Sequence, residues 1–202
     1  CWERVAGGVA APRGLRAAAD RLATAAGQAT VAASEVRRFA LERCVAGGHL
    51  VKSVDPSGRP TLAEVDASLL GAIVPYGLLT PDDSIAQATV TRIERDLHRP
   101  GGGVYRYLGD TYYGGGEWLL LAAWLGWHYA LLGEAAPARE LLAWIEAQAD
   151  AGGSLPEQVS AHTLAQEYVA VWEDRWGPIA RPLLWSHAMY LILHHALEGD
   201  RG

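Results

Sequence analysis

Cysteine and clustered positive charge are both scarce in this sequence. Only Cys1 and Cys44 occur among the 202 residues, which excludes the disulfide framework of a small secreted domain. Two cysteines are compatible with a reducing compartment, so we expect a cytoplasmic location. The formal net charge is -6 and no run of lysine or arginine is present. This argues against a nucleic-acid-binding protein.

Long hydrophobic runs are also absent. The longest, around Leu119 to Leu132 and Pro182 to Leu197, are shorter than the roughly 20 residues that a bilayer span needs, and both contain histidine. We therefore expect no membrane insertion. The chain begins at Cys1, without a methionine and without a charged-then-apolar signal. We interpret it as a piece of a longer protein.

Several motifs of common enzyme classes are missing. No Gly-x-Ser-x-Gly nucleophile elbow occurs, and the glycines 101–103 follow no clear strand and lack a P-loop lysine. His194 and His195 are adjacent and would face different sides of a helix, while His162 and His187 have no partners at metal-ligand spacing. We expect structural histidines, no metal and no cofactor.

Half of the residues are hydrophobic, which is enough for one ordinary domain with a sizeable core. Helical spacing of apolar residues and N-cap signals predict an all-α chain of about seven helices, with no convincing strand series. The predicted helices are 14–26, 34–44, 67–74, 84–98, 117–132, 137–151 and 183–197. Pro137 is expected at position N1 of its helix. Residues 49–54 alternate weakly, as a short strand would.

The aromatic segment, Gly103 to Trp118, contains four tyrosines, Arg106, Asp110 and a glycine triplet directly before a strongly apolar helix. Aromatic faces with polar tips and charge-assisted donors suit the wall of a pocket for a sugar ring. A buried aromatic turn with internally capped hydroxyls would have the same composition. Both interpretations stay open on composition alone.

Two glutamates are candidates for acid–base chemistry. Glu157 follows a proline in a loop, where most carboxylates are simply solvated, but Gln158 and Trp185-Ser186-His187 accompany it. Glu3 follows Trp2 and is unremarkable alone. Two carboxylates on facing loops of a helical ring can act as general acid and general base.

A set of short motifs, in order along the chain, resembles the glucoamylase family, glycoside hydrolase family 15. The motifs are Cys1-Trp2-Glu3, Leu62 to Leu70, Arg106-Tyr107, Asp110-Thr111-Tyr112-Tyr113 with Gly115 and Trp118, Leu155-Pro156-Glu157-Gln158, and Pro182-Leu183-Leu184-Trp185-Ser186-His187-Ala188. Each motif is weak alone, whereas the ordered set is specific and spans nearly the whole chain.

The resemblance implies an incomplete (α/α)6 toroid, with residues 1–202 as the C-terminal part of one catalytic domain. The missing partner is then the N-terminal part of that domain, whose first helices would precede Cys1. The implied activity is inverting, exo-acting hydrolysis of α-glucosidic bonds in an oligosaccharide or disaccharide, with release of glucose. Glucoamylase, glucodextranase and trehalase specificities stay open.

The resemblance also implies residue roles. Glu3 corresponds to the general acid and Glu157 to the general base, which in an inverting enzyme lie roughly 6.5–9.5 Å apart. The implied substrate-binding residues are Arg106, Tyr107, Asp110, Tyr112, Trp118 and Trp185. Of these, Tyr112 and Trp185 are expected to support the residues that touch the sugar.

The chain departs from the family pattern in several places. Pro12 interrupts the region after Glu3, and Arg4 stands where some relatives carry a second acid. Trp172-Glu173 is a second tryptophan–acid pair without a catalytic role, because we expect Glu173, Asp174 and Arg175 to form a solvated loop with local ion pairs. Two rival functions remain: a non-catalytic glucan-binding or regulatory toroid, and an unrelated helical scaffold for protein contacts.

Overall fold

The computed structural model describes residues 13–61 and 65–199, in two units with a boundary between Glu42 and Arg43. The predicted general acid, Glu3, lies outside the described residues, as do Trp2, Arg4 and Pro12. Helix α1, Arg13–Arg43, supplies the described part of the first unit, and its last residue belongs to the second unit. None of the helices in the described ranges is long and apolar enough to cross a membrane.

Helix α1 is one continuous helix of 31 residues, so the prediction of two helices separated before Ser34 is wrong. The Ser34 hydroxyl donates a hydrogen bond to the Thr30 carbonyl within the helix (3.0 Å), instead of capping a new N-terminus. Alanines at 29, 32 and 33 favour the helix strongly enough to carry it through this region.

The second unit contains the remaining elements. Its α-helices are α2 (Ser84–Leu97), α3 (Leu119–Leu131), α4 (Ala135–Glu146), α5 (Tyr168–Trp176) and α6 (Leu184–Glu198), and its 3-10 helices are Ala67–Ala72 and Tyr112–Gly114. Its two-residue strands are β1 (Val45–Ala46), β2 (His49–Leu50), β3 (Ser53–Val54), β4 (Pro60–Thr61), β5 (Val104–Tyr105), β6 (Glu117–Trp118) and β7 (Gln158–Val159). The described chain is thus mostly helical, and the predicted all-α class is confirmed.

Helix α3 lies at the centre of this unit. It is buried on nearly every face, as its unbroken apolar sequence predicts, and it packs against α4, α6 and the first 3-10 helix. A β-carbon at Gly126 would lie 2.8 Å from the side chain of Leu193 in α6, so glycine allows the two helices to approach closely. Packed helical hairpins of this kind are the elements of an incomplete toroid.

The predicted helix starts are partly right. Asp66 and Asp83 act as N-caps: their carboxylates accept hydrogen bonds from Ser68 N (2.9 Å) and Ile85 N (2.8 Å). However, Asp66 caps a 3-10 helix. Pro137 is not at N1, because α4 begins two residues earlier, at Ala135. A proline is tolerated throughout the first turn, where backbone N–H groups have no helical partner.

Helix α5 lies between the predicted helices 137–151 and 183–197, where no helix is predicted. Glu173, Asp174 and Arg175 are exposed, as expected, but they lie on this helix and not in a loop. Trp172, on the same helix, is partly buried against Tyr112 and Tyr113. The charged residues are therefore solvated as expected, but on a helix.

Strands β5, β6 and β7 form a small antiparallel sheet that no sequence pattern predicted. Val104 pairs with Trp118 and Tyr105 with Glu117, and on the other side of β6 Trp118 pairs with Gln158. Two residues per strand are too few to show an alternating pattern. The weak strand at 49–54 is likewise split, because β2 pairs with β1 and β3 pairs with β4.

Candidate active site

A cavity of about 270 Å³ in the second unit collects four of the residues that the sequence singled out. These are Arg106, Trp118, Glu157 and Trp185; the other lining residues are Ser68, Leu120, Leu121 and Trp124. Most of the wall is apolar or aromatic, and one guanidinium and one carboxylate face it. This composition is typical of a small-molecule site in which a few polar groups orient the ligand.

The small sheet brings these residues together. Arg106 directly follows β5, Trp118 lies in β6, and Glu157 directly precedes β7. Leu119 N donates to the Glu157 carbonyl (3.4 Å), which extends the β6–β7 pairing by one position. Neighbouring strands lie about 4.8 Å apart, so residues distant in sequence become neighbours here.

Asp110 fixes the position of Arg106. Two hydrogen bonds join them, Nε to Oδ2 at 2.9 Å and Nη2 to Oδ1 at 2.6 Å. Asp110 is only 1% exposed, and its Oδ1 also accepts from Tyr112 N at 3.0 Å. A paired arrangement of this kind is rigid as well as strong. In this structure Asp110, predicted to bind substrate, holds Arg106 in place.

Aromatic rings surround the Arg106 guanidinium. Its central carbon lies 5.1 Å from the ring centre of Trp118, 5.1 Å from that of Tyr107 and 5.6 Å from that of Tyr112. Cation–π contacts at these distances are favourable. Ala67 N also donates to the Arg106 carbonyl at 2.8 Å, so backbone and side chain are both held.

Glu157 is partly buried at the edge of the cavity, and the Tyr112 hydroxyl donates a hydrogen bond to its Oε2 at 3.2 Å. Burial raises the pKa of the Glu157 carboxyl, while the Tyr112 hydrogen bond and the Arg106 charge offset part of this rise. Burial and the neighbouring carboxylate in turn raise the pKa of Tyr112 to about 12. The hydroxyl therefore stays protonated and is the donor in this hydrogen bond. A carboxylate with a raised pKa is a better general base.

The group that orients the Glu157 carboxylate in this structure is the Tyr112 hydroxyl. Gln158 is buried and has another role. Its Oε1 accepts from Gly116 N (2.7 Å), and its Nε2 donates to the Tyr112 carbonyl (3.1 Å). Gln158 therefore fastens the strand that follows Glu157 to the aromatic segment.

The glycine triplet 114–116 allows close packing of the chain against itself. Gly115 has φ +67°, and a β-carbon there would lie 2.2 Å from the Asp110 carbonyl oxygen. A β-carbon on Gly116 would lie 2.3 Å from the carbonyl oxygen of Val159. These glycines bring the aromatic segment against its own start and against β7, and the contacts they allow are with protein backbone.

The aromatic segment contains both an internally capped tyrosine and a residue that lines the cavity. The Tyr113 ring is buried and its hydroxyl donates to the Gly177 carbonyl at 2.8 Å, as in an internally capped turn. The neighbouring Tyr112 directs its hydroxyl to Glu157, and Trp118 lines the cavity. One segment therefore supplies core packing and cavity wall together.

Two further predicted residues take different places. Trp185 lines the cavity, is 48% exposed, and contacts Trp124 edge to face with ring centres 6.0 Å apart. Tyr107 is not among the lining residues. Its ring lies under Lys52 Nζ at 3.5 Å, and Lys52 also pairs with Asp66 at 3.0 Å.

Trp172 is the clearest residue that the sequence analysis missed. Its ring contacts Tyr112 (4.9 Å between centres) and Tyr113 (5.9 Å), so it supports the tyrosine that holds Glu157. The one available signal was a tryptophan within a polar stretch. Glu117 was also missed: it is buried and binds Arg99 Nε (3.0 Å) and Gly103 N (2.7 Å), which fixes β6 beside β5.

Within residues 13–61 and 65–199, no three histidine, cysteine, aspartate or glutamate side chains lie close enough together to hold a metal ion. The chemistry that this cavity can offer comes from its carboxylate, its guanidinium and its aromatic surfaces. A carboxylate, a directed guanidinium and an aromatic wall together suit a ligand with polar edges and apolar faces. The fold and cavity therefore define the class of an all-α protein with a small-molecule site.

Comparisons with known proteins agree with this class. No family model matches the chain. A curated isomaltose glucohydrolase of Kribbella flavida is 47% identical over 161 residues, which cover 80% of this chain and 40% of that protein. An uncharacterised glycosyl hydrolase of Methanocaldococcus jannaschii is 27% identical over 164 residues, covering 74% of this chain and 24% of that protein.

Solved structures extend the relationship. A wild-type glycosidase is 45% identical with a TM-score of 0.76, and a glycosidase variant in complex with glucose is 44% identical with a TM-score of 0.77. Both matches cover 86% of this chain and 44% of the other. A bacterial glucoamylase in complex with acarbose is 26% identical with a TM-score of 0.53, over 68% of this chain and 21% of that one.

The chain spans less than half the length of each of these relatives. It is homologous to part of the glucoamylase-like glycoside hydrolases, and the resemblance found in the sequence motifs is confirmed.

Proposed function

We propose that this chain supplies the general-base side of the active site in an enzyme that hydrolyses α-glucosidic bonds and releases glucose. The observation that carries the proposal is the Glu157 carboxylate, held by Tyr112 at the edge of a cavity that Arg106 and Trp118 also line. The isomaltose glucohydrolase relative makes isomaltose the first substrate to test. Residues 1–202 would be the C-terminal part of a single catalytic domain.

In the proposed mechanism Glu157 acts on water. Its ionised carboxylate accepts a proton from a water molecule as the water oxygen attacks the anomeric carbon, and the configuration at that carbon inverts. Arg106 donates to hydroxyls of the terminal ring. The aromatic surfaces of Trp118 and Trp185 cover the apolar face of the pyranose, where they also exclude bulk water.

The general acid remains a sequence prediction. Glu3 would protonate the leaving oxygen and must therefore carry a proton before the reaction, which burial against Trp2 would favour by raising its pKa. The inverting mechanism requires its carboxyl group to lie roughly 6.5–9.5 Å from that of Glu157.

The first test is Glu157→Gln in the whole protein that contains this chain, with glucose release from isomaltose as the measurement. Loss of a general base lowers kcat by a factor of roughly 10² to 10⁴. Glu173→Gln is the matched control, because Glu173 is exposed on α5, and it should leave kcat unchanged. NMR of the first product should show β-glucose if the mechanism inverts.

Each outcome of this test is informative. Full activity in Glu157→Gln would show that Glu157 is not the general base. A wild-type protein that releases no glucose, but whose tryptophan fluorescence responds to acarbose, would be a non-catalytic glucan-binding domain. If the wild-type protein shows no activity and no fluorescence response, the protein-contact scaffold is favoured. Initial release of α-glucose would contradict the inverting mechanism and leave hydrolysis itself intact.

A further inference from the structure

The backbone that carries Glu157 is fastened by four hydrogen bonds to helix α6 and to the segment directly before it. Two are between backbone groups: Glu157 N donates to the Ala180 carbonyl (3.0 Å), and Leu183 N donates to the Leu155 carbonyl (2.9 Å). The other two use the side chains of Ser186 and His187. Together they hold the three consecutive residues 155–157.

The two side-chain contacts reach the residues directly before Glu157. The Ser186 hydroxyl donates to the Pro156 carbonyl at 2.7 Å, and Leu155 N donates to His187 Nε2 at 3.0 Å. Ser186 is only 1% exposed, so the Pro156 carbonyl depends on this partner more than a surface carbonyl would. Both residues lie in the first turn of α6, where side chains can reach an adjoining loop.

The contact to His187 defines the state of the imidazole. An amide N–H is a donor, so Nε2 must offer its lone pair, and the proton of the neutral ring must sit on Nδ1. An aliphatic side chain at this position could not accept the hydrogen bond. A glutamine could, through its amide oxygen at a similar distance from the backbone.

On its other side Glu157 is bound by the core. Its carbonyl accepts from Leu119 N at the start of α3, and its carboxylate accepts from Tyr112. The residue therefore lies between two independent supports, the β6–α3 connection and the first turn of α6. Loss of the α6 support would let the carboxylate shift relative to Tyr112 and Arg106 while the core helix stays in place.

We propose that Ser186 and His187 are positioning residues for Glu157: through the Leu155–Pro156 backbone they set where the carboxylate stands in the cavity. The expected effect on kcat rests on the proposed function. The expected effect on the Leu155–Pro156 backbone does not. A positioning role differs from a merely structural one because it affects kcat more than substrate binding or thermal stability. A displacement of about 1 Å can lower the rate roughly 10²-fold.

The experiment compares variants of the whole protein, each assayed for glucose release from isomaltose. His187→Leu and Ser186→Ala should lower kcat by about 10- to 100-fold, with KM close to wild type and with a modest loss of Tm, because each variant leaves one backbone group unpaired. His187→Gln keeps an acceptor and should recover most of the lost kcat. Glu173→Gln is again the control, since Glu173 is exposed on α5 and should be neutral.

A second measurement does not need catalysis. Hydrogen exchange at the Leu155 amide should be slow in the wild type and in His187→Gln, and clearly faster in His187→Leu. If Ser186→Ala does not fold, the leucine and glutamine variants of His187 still decide the result. Equal exchange of the Leu155 amide in all three proteins would overturn the proposal.

The positioning proposal and the proposed function fail in different ways. If the wild type is active and Glu157→Gln is not, but His187→Leu and Ser186→Ala keep full kcat, positioning is refuted and the function stands. If the wild type releases no glucose, the function is refuted, and the exchange of the Leu155 amide alone tests whether His187 holds this backbone. His187→Leu and His187→Gln could also lose the same amount of Tm and have the same kcat. That result would indicate that His187 has a structural role only.

Discussion

Tyr112 connects three parts of the site through one side chain. Its hydroxyl donates to Glu157, its ring is stacked near Trp118 with centres 6.0 Å apart, and Trp172 supports it from the other side. Its backbone N–H is bound by Asp110, which also holds Arg106. A tyrosine placed in this way controls both the position and the protonation of the carboxylate.

Removing the Tyr112 hydroxyl should therefore change the pH dependence of activity. The hydrogen bond from Tyr112 lowers the pKa of Glu157, so Tyr112→Phe should raise that pKa further above its ordinary value. A general base works only when it is ionised, and activity falls as the pH drops through its pKa. The acidic limb of the kcat/KM profile should consequently move to higher pH.

Tyr113→Phe provides the control for this experiment. It removes a hydroxyl from the adjacent residue, where the hydrogen bond goes to the Gly177 carbonyl and not to Glu157. Its acidic limb should match that of the wild type. A profile in Tyr112→Phe that is unchanged, or moved to lower pH, would contradict the role assigned to this hydroxyl.

At the scale of elements, the site depends on short segments that pack closely because glycine allows it. The segment Tyr112–Gly114 turns back on itself, with Tyr113 at φ 48° and Gly115 at φ +67°. The turn places the Asp110–Arg106 pair against the sheet that carries Trp118 and Glu157. The geometry of the site therefore depends on these few backbone positions.

Gly115→Ala tests this dependence. The left-handed conformation costs an alanine about 1–2 kcal/mol, and the clash with the Asp110 carbonyl at 2.2 Å adds to that cost. We expect a loss of more than about 2 kcal/mol of stability, together with a higher KM because Asp110 holds Arg106. Thermal unfolding and isomaltose kinetics of the whole protein measure the two effects.

The matched control is Gly153→Ala. Gly153 also has a positive φ, +83°, but nothing lies within 4 Å of where its β-carbon would be. This variant should show only the conformational cost, with KM unchanged. Equal destabilisation by the two substitutions would show that close packing at Gly115 adds nothing.

At the scale of the whole molecule, the chain presents apolar side chains to solvent. Leu184 is 83% exposed, Tyr76 75%, Trp176 70% and Leu191 62%. Relatives more than twice as long have further residues, outside the matched region, that are available to cover such positions. Large exposed apolar side chains favour association.

We therefore expect the 202-residue chain, produced alone, to associate or aggregate and to bind dyes that report exposed apolar surface. Size-exclusion chromatography and dye fluorescence test this. A monomer with a sharp thermal transition and no dye binding would contradict the prediction. The whole protein is measured in parallel. It should show no increase in dye fluorescence if its other residues cover these side chains.

Much of this protein follows from its sequence because the signals are local. The all-α class, the buried helix α3 and the aspartate caps follow from helical spacing and from side chains next to each helix start. The cavity-lining residues Arg106, Trp118, Glu157 and Trp185 belong to motifs that occur in order along the chain. The helix start predicted at Ser34 was wrong, because the alanines beside Ser34 favour continuation of helix α1.

The tertiary structure decided which of those residues meet. Strands of two residues have no detectable period, so the sheet that joins Arg106, Trp118 and Glu157 was invisible in the sequence. The choice of Tyr112 over Gln158 as partner of Glu157, and the support from Trp172, Ser186 and His187, depend on contacts across 30 to 60 residues of chain. Contacts at such separations are set by how helices and strands pack together, which no local pattern records.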